Sequence, residues 1–278
     1  MPAVTTGTLE KMQVRDTSPL EYELVIGEQT LPLNPLIGQR ITLSFSGDIY
    51  CLHCGKKTKK SYGQGYCYDH FMSLAQNDSC MMSPEKCHWD QGTCREPDFG
   101  ERVCNQTHYV YLANASGVKV GITRGTQIPT RWHDQGAKQG MLIARVATRK
   151  LAGELETLFK SAVADKTNWR KLVKGDAQEI DLAAERDRLI SELGEELTNF
   201  VEKHQGRVEM IAHADVHQFN YPVQTYPDVT QSLAADKTPE ISGRLLGIKG
   251  QYLLLDCGVI NIRRHSGYEL HFVHQEGA

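Results

Sequence analysis

The chain lacks any apolar run approaching the roughly 20 residues that a membrane-spanning helix needs, so no transmembrane segment is expected. Its first stretch, MPAVTTGTLEKMQV, has no basic segment followed by an apolar one. That excludes a secretory signal, and a cytoplasmic protein is expected. A glycine-rich phosphate loop, a Ser-His-Asp order and a dinucleotide fingerprint are all missing, which removes the enzyme classes those patterns announce. Positive charge is not in excess either. The formal net charge is −3, unlike that of a protein that coats nucleic acid without selection, although a local basic face is compatible with it.

What is present is a globular composition, 40% hydrophobic and 23% charged, over 278 residues. That length holds one large or two to three small domains. Seven of the eight cysteines fall within 51–108. In a reducing compartment such clustering reads as metal ligation rather than disulfides.

Residues 1–50 read as β-rich. TLEKMQV, EYELVI and QRITLSFSGDIY alternate in part, and Pro32, Pro35 and Gly38 punctuate the turn between them. Residues 51–108 read as a zinc-binding module. Cys51 and Cys54 form one pair, Cys67 and His70 another, with 12 residues between the pairs. Two intervening residues let both members of a pair face one ion, and two pairs complete a closed tetrahedral site. Thiolates with an imidazole suit zinc. Cys80, Cys87, Cys94 and Cys104 form a second, looser set, with His88 and His108 as competing ligands. A second structural zinc is expected, because a turn-rich segment with few apolar runs needs a staple to fold. One or two zinc ions follow. Lys56, Lys57, Lys59 and Lys60 lie in the loop inside the first set. They suit either phosphate contact or a solvated loop.

The stretch 109–170 reads as two strands in a hairpin, a helix, a strand and a second helix. Tyr109–Ala113 and Val118–Thr123 flank Asn114-Ala115-Ser116-Gly117, a hairpin turn signature. Pro129 suits the first turn of a helix ending near Gly136. Met141–Thr148 reads as a strand. Leu151–Val163 has apolar residues at helical period, with Glu154 and Glu156 on other faces.

This order of elements resembles the GIY-YIG nuclease domain. Its first motif falls on Val110-Tyr111-Leu112, its second on Lys119-Val120-Gly121, its helical Arg on Arg131 and its metal-binding Glu on Glu156. Ala152, Glu156 and Asn168 meet the common pattern of Ala, Glu and a following Asn. The resemblance implies an α+β fold, a small antiparallel sheet with flanking helices, and phosphodiester hydrolysis. Glu156 would bind Mg or Mn, Tyr111 would assist the nucleophile, and Arg131 would hold the phosphate. His133, near Arg131, is expected to assist proton transfer. Lys119 stands where the family has its second Tyr, a departure shared with divergent phage-associated members that carry a KIG-like motif. Over its full length the chain also resembles an uncharacterised bacterial family of unknown function. The carrying residues include C-L-H-C-G, P-E-K-C-H, V-K-V-G-I-T-R, R-W-H-D-Q-G-A and G-I-K-G-Q-Y. That family commonly has Cys where this chain has His70, as a metal ligand would.

Residues 171–215 read as a helical region, with Leu182, Leu189, Leu193 and Leu197 on one face of a helix from Ile180 to His204. Trp169, just before it, is expected to pack against the core. Residues 216–278 read as a Pro-rich linker and a small β-domain of SH3 or OB kind. There Lys249, Tyr252, Arg263, Arg264 and Tyr268 suit either a nucleic-acid surface or ordinary positions, and Cys257 reads as a buried thiol. The functional expectation is a zinc-containing nucleic-acid-processing protein with a nuclease-like domain. The alternative is a noncatalytic nucleic-acid-binding or protein-interaction adaptor on the same fold.

Overall fold

The computed structural model describes residues 2–163, 169–175, 177–228 and 230–275. It is a mixed α+β protein with several antiparallel sheets and flanking helices. The first half of the chain supplies strands β1 (Pro2–Thr8), β2 (Gln13–Arg15), β3 (Glu21–Ile26), β4 (Gln29–Pro32), β5 (Arg40–Tyr50) and β6 (Lys57–Thr58). The cysteine blocks follow, with short helices α1 (Tyr68–Ser73) and α2 (Pro97–Val103) separated by single 3₁₀ turns. The middle carries β7 (His108–Asn114), β8 (Val118–Arg124), α3 (Thr130–Asp134), β9 (Gln139–Val146), α4 (Arg149–Ala162), α5 (Trp169–Lys174) and α6 (Leu182–Lys203). The last part supplies β10 (Val208–Met210), β11 (His217–Gln218), β12 (Ser232–Leu233), β13 (Glu240–Lys249), β14 (Tyr252–Leu255), β15 (Gly258–Asn261) and β16 (Tyr268–Gln275).

The two β-rich ends, which the sequence separates into a 1–50 segment and a 216–278 domain, share one sheet. Its order is β1-β16-β5-β13-β14-β15-β12, with β6 on β5. β5 lies between β13 and β16, antiparallel to both, with Leu43 opposite Ile241 on one side and Phe272 on the other. Its alternate residues Ile41 and Leu43 are buried, as the period-2 pattern of a half-buried strand requires. The core beneath joins Leu9, Met12, Leu24, Leu253 and Phe272. Pairing across some 200 residues leaves no local signal, so a small C-terminal barrel was the simpler expectation.

A second sheet runs β10-β9-β7-β8, with β11 also on β9. On one face Val110, Leu112, Met141 and Ile143 pack under Leu151, Leu155 and Phe159 of α4 and Leu189 of α6. Burying each of these α4 side chains contributes roughly 1.5–3 kcal/mol. Thr148 caps α4, its hydroxyl accepting from the Leu151 N–H. The other face carries Tyr111, Ala113 and Trp132, with Leu172 of α5 over them. The α6 helix is broken at Gly194, whose φ of 43° no helix contains.

Gln251 fastens the two sheets. Its side chain bonds both backbone groups of Met12, and its Nε2 donates to Asp134 Oδ1 at 3.0 Å. Lys11 Nζ meets the other Asp134 oxygen at 2.9 Å. Two C-terminal expectations change. Lys249 is 3% exposed, its ammonium over the Tyr221 and Tyr226 rings, so it offers nothing to a nucleic acid. Cys257 is exposed, in the two-residue turn between β14 and β15. Trp169 stacks on Tyr252, as a packing role requires.

Candidate metal centres and the Tyr111 site

The first cysteine set closes on itself. The ligand atoms of Cys51, Cys54, Cys67 and His70 all lie within 4.8 Å of one another. His70 Nδ1 is 3.2 Å from Cys67 Sγ and 3.6 Å from Cys51 Sγ. A tetrahedral zinc with its usual bond lengths sets sulfur and nitrogen about 3.6 Å apart. Two local devices produce this. Gly55, with φ 69°, donates to the Cys51 carbonyl and turns the chain back after the first pair. Cys67 precedes α1, so His70 comes round one helical turn later toward Cys67. Burial pushes the Cys51 thiol up, but the N–H groups of Cys67, Cys54 and His53 and the His70 ring outweigh it and bring it down to about 6. Donors aimed at the sulfur favour the thiolate that a metal takes. The donor set, three thiols and one imidazole, fits a structural zinc.

The second set, expected to form a site of its own, does not close in the same way: the sulfurs of Cys80, Cys87, Cys94 and Cys104 do not all lie within 4.8 Å of one another. Cys80, Cys87 and Cys104 cluster in a small core with Trp89 and Val103. The Cys104 thiol donates to Cys87, bringing Cys87 down to about 6 and raising Cys104 well above the usual thiol range. Burial raises Cys80 to about 11. Cys94 Sγ lies where a side chain on Gly100 would meet it, 3.1 Å from the added carbon. In this block the donors that come within 4.8 Å of one another are Asp78, Cys80 and His88. Arg95 already engages Asp78 at 2.7 Å. Burial raises the Asp78 carboxyl, but the Cys80 N–H, the Ser79 hydroxyl, Arg95 and His88 together hold it below its ordinary value. His108 stands apart from both groupings. It is fully buried, its Nδ1 on the Gln106 carbonyl at 2.8 Å, and burial lowers its pKa to about 4.

The block is anchored to α4. A side-chain carbon on Gly153 would come within 2.3 Å of the Glu85 nitrogen, so the backbones of helix and block touch there. The Arg149 N–H donates to the Cys104 carbonyl at 2.9 Å.

Three of the nuclease-like residues converge. Tyr111 on β7 lies across its ladder partner Gly121, where an added side-chain carbon would meet the hydroxyl at 2.4 Å. Trp132 packs edge-on against the Tyr111 ring at 5.8 Å. The hydroxyl is 3.0 Å from Gln135 Nε2, and the Arg131 charge acts on it. Gln135 sits four residues beyond Arg131, on the same side of the α3 turn. Burial raises the Tyr111 pKa, Arg131 and Gln135 oppose that, and the Glu156 charge adds to it. Glu156 is 8% exposed and pairs with Lys160 at 3.0 Å. Lys119 is two residues from Gly121 on β8 and so shares the Tyr111 face.

His133 does not join them. It is two residues from Arg131, on the opposite side of the helix, and 1% exposed against Phe219. Its Nε2 is 3.2 Å from Asp16 but out of line for a hydrogen bond. Proton transfer at the Tyr111 site is therefore not its role. Asn168 lies outside the described residues. Gln135 and Arg149 were missed at the sequence level. The spacing of Gln135 from Arg131 was the available sign for the first. A cation directly after a helix cap was the sign for the second.

Together these features define an α+β protein with a cluster of three thiols and an imidazole that could hold a metal ion. Residues 38–270 match the family described as Protein of unknown function (DUF2797), and the chain belongs to that family. No curated protein matches the chain, and no solved structure does. No helix among the described residues is long and apolar enough to cross a membrane.

Proposed function

We propose that this chain is a zinc-containing nucleic-acid-processing protein whose middle sheet is a divergent GIY-YIG-like nuclease domain. One observation carries the reading. The Tyr111 hydroxyl is bonded to Gln135, and the charges of Arg131 and Glu156 both act on it. Zinc at Cys51, Cys54, Cys67 and His70, and a second ion at the later cysteines, would be structural. Glu156 would hold Mg or Mn, which offsets charge developing on a scissile phosphate. A single carboxylate suits such an ion, since Mg keeps several waters and shares substrate phosphate oxygens. Lys160 must then release Glu156. Arg131 is exposed and presents a planar donor fork to the phosphate. Tyr111, with its raised pKa, stays protonated and acts as a hydrogen-bond donor or positioner rather than as a base. Lys119 supplies a cation on the same face in place of the second Tyr.

A second reading rests on the burial of Tyr111, which is 0% exposed. A hydroxyl closed off from water favours a noncatalytic nucleic-acid-binding adaptor that keeps the fold. The test is cleavage of single-stranded, duplex and branched DNA and RNA with Mg or Mn. Activity that falls at least about a hundredfold in Glu156→Ala and in Arg131→Ala supports the enzyme. Binding without cleavage, equal in the wild type and Glu156→Ala, assigns the adaptor.

A further inference from the structure

In the second cysteine block the donor atoms that approach one another belong to Asp78, Cys80 and His88. Their roles can be read from their other bonds. The Thr93 hydroxyl has one proton, and it points to the His88 carbonyl at 3.3 Å. The same oxygen lies 2.7 Å from His88 Nδ1, so Nδ1 is the donor there. Nε2 of the neutral ring is then a bare lone pair. It faces Asp78 Oδ2 at 3.7 Å, too far for a hydrogen bond. Asp78 is itself fixed. Its Oδ1 accepts from the Ser79 hydroxyl at 3.1 Å and from the Cys80 N–H at 3.4 Å. Its Oδ2 takes Arg95 Nε at 2.7 Å on one lone pair and keeps another. Asp78 caps the turn Ser79–Met81, which sets the buried Cys80 beside the same carboxylate. A ring lone pair, a carboxylate oxygen and a sulfur thus converge, and no side-chain hydrogen bond joins them among the described residues. An imidazolium would close on the carboxylate to roughly 2.7–2.9 Å. The spacing is instead near the roughly 3.4 Å between the oxygen and nitrogen ligands of one tetrahedral zinc.

We propose that Asp78, Cys80 and His88 are the protein ligands of a zinc ion whose fourth position stays open to a small anion. This rests on the reading that the second block binds zinc, and it goes beyond the structural role given to that ion. Thiolate, imidazole and carboxylate all lie within the donor range of zinc. Three protein ligands and one exchangeable position make a reactive site rather than a closed one. Charge sets the chemistry of the open position. One thiolate and one carboxylate neutralise the divalent ion, and Arg95 adds a positive charge beside it. The fourth ligand is therefore an anion, hydroxide or a small exogenous one, in preference to a neutral group. Access is from the His88 side, whose side chain is 27% exposed against 10% for Asp78. Cys94 is engaged elsewhere, its thiol donating to the Glu96 carbonyl at 3.3 Å. Thr93 does for His88 what the partners of metal-bound histidines do, fixing the tautomer and the ring orientation. Arg95 also bonds the Met72 carbonyl at 2.7 Å, which ties the site to α1 in the first block.

The test measures the zinc that the full chain retains against a chelator of known affinity. Asp78→Asn, Cys80→Ser and His88→Ala are each expected to lower it by one ion per chain, and Cys94→Ser to leave it unchanged. Thr93→Val is expected to weaken the binding of that ion about 10- to 100-fold, the range for lost partners of metal ligands. Thr93→Ser, which keeps the hydroxyl, is expected to hold it as the wild type does. In the cobalt-substituted protein azide is expected to shift the visible bands, and to shift nothing in His88→Ala. The first cluster, closed by four protein ligands, gives azide no position. Loss of the ion in Cys94→Ser with retention in His88→Ala assigns another donor set, which overturns the proposal and leaves the zinc reading standing. Zinc held as tightly in Thr93→Val as in the wild type, or bands unmoved by azide, also overturns it. Zinc content equal in the wild type and all four ligand variants removes the metal reading of this block and the proposal with it. Should the buried replacements Asp78→Asn and Cys80→Ser fail to fold, His88→Ala and Thr93→Val, at more exposed positions, decide by the same criteria.

Discussion

The two cysteine blocks are put together by different routes. The first is local. Two short-range pairs, one glycine turn and one helical turn bring four ligand atoms together within 20 residues. Its donors to sulfur come from its own backbone. The second is distributed. Its cysteines are spread along the chain from Cys80 to Cys104, and its docking surface comes from α4, outside the block. A local centre is a staple added to a fold. A distributed one is part of the fold, and losing it releases whatever it holds.

That contrast sets the sizes of the expected effects. Cys104→Ser is expected to lower global stability by roughly 2–3 kcal/mol, because a hydroxyl replaces a thiol buried in the small core with Cys80, Cys87 and Trp89. Cys54→Ser is expected to cost the whole molecule under about 1 kcal/mol and to loosen only its own neighbourhood. Thermal unfolding, with hydrogen exchange resolved by segment, measures both. Equal losses would break the comparison.

Comparable in size is the histidine of each region. His70 sits among ligands, whereas His108 is buried and neutral, with its pKa lowered to about 4. The unfolded value is near 6.5, so above that pH His108 carries no penalty. As pH falls from 6.5 to 4 the unfolded chain binds the proton more readily, and stability is lost. The loss amounts to something on the order of 3 kcal/mol. His108→Asn keeps a donor for the Gln106 carbonyl and removes the titration. Its stability is expected to decline less over that interval than that of the wild type, in denaturant melts at stepped pH. Parallel declines would assign the acid sensitivity to the metal ligands instead.

The smallest effect separates two glycines. Gly153→Ala pushes a carbon against the Glu85 backbone and is expected to cost about 2 kcal/mol. Gly55→Ala meets no neighbour within 4 Å and pays only for its positive φ, about 1 kcal/mol. If Gly55→Ala proves the more damaging in urea melts, the first block is less self-contained than its geometry implies.

Local order was legible in the sequence. The hairpin at 114–117, the apolar face of α4 and the ligand pairs of the first block all rest on spacings within a few residues. So did the closeness of Arg131 to Tyr111, through the motif order. What stayed hidden depends on tertiary pairing. β5 takes its neighbours from the far end of the chain, Lys249 turns inward under two tyrosines, and His133 buries on the side of α3 away from Arg131. None of these has a signature in its own neighbourhood. Gly153 was visible as a mid-helix glycine, but its partner Glu85 lies 68 positions earlier.

The placement of β5 also bears on the chain as it is being made. Residues 40–50 leave the ribosome about 200 residues before β13 and β16, the strands that cover both of their edges. Until then β5 is an open template of unpaired backbone groups, the kind that recruits other chains. The two cysteine blocks and the middle sheet emerge during that interval. On the zinc reading proposed above, metal supply during synthesis would set how long the exposed strand waits beside folded neighbours. A zinc-starved cell should show the defect as aggregation of new chains rather than as instability of old ones.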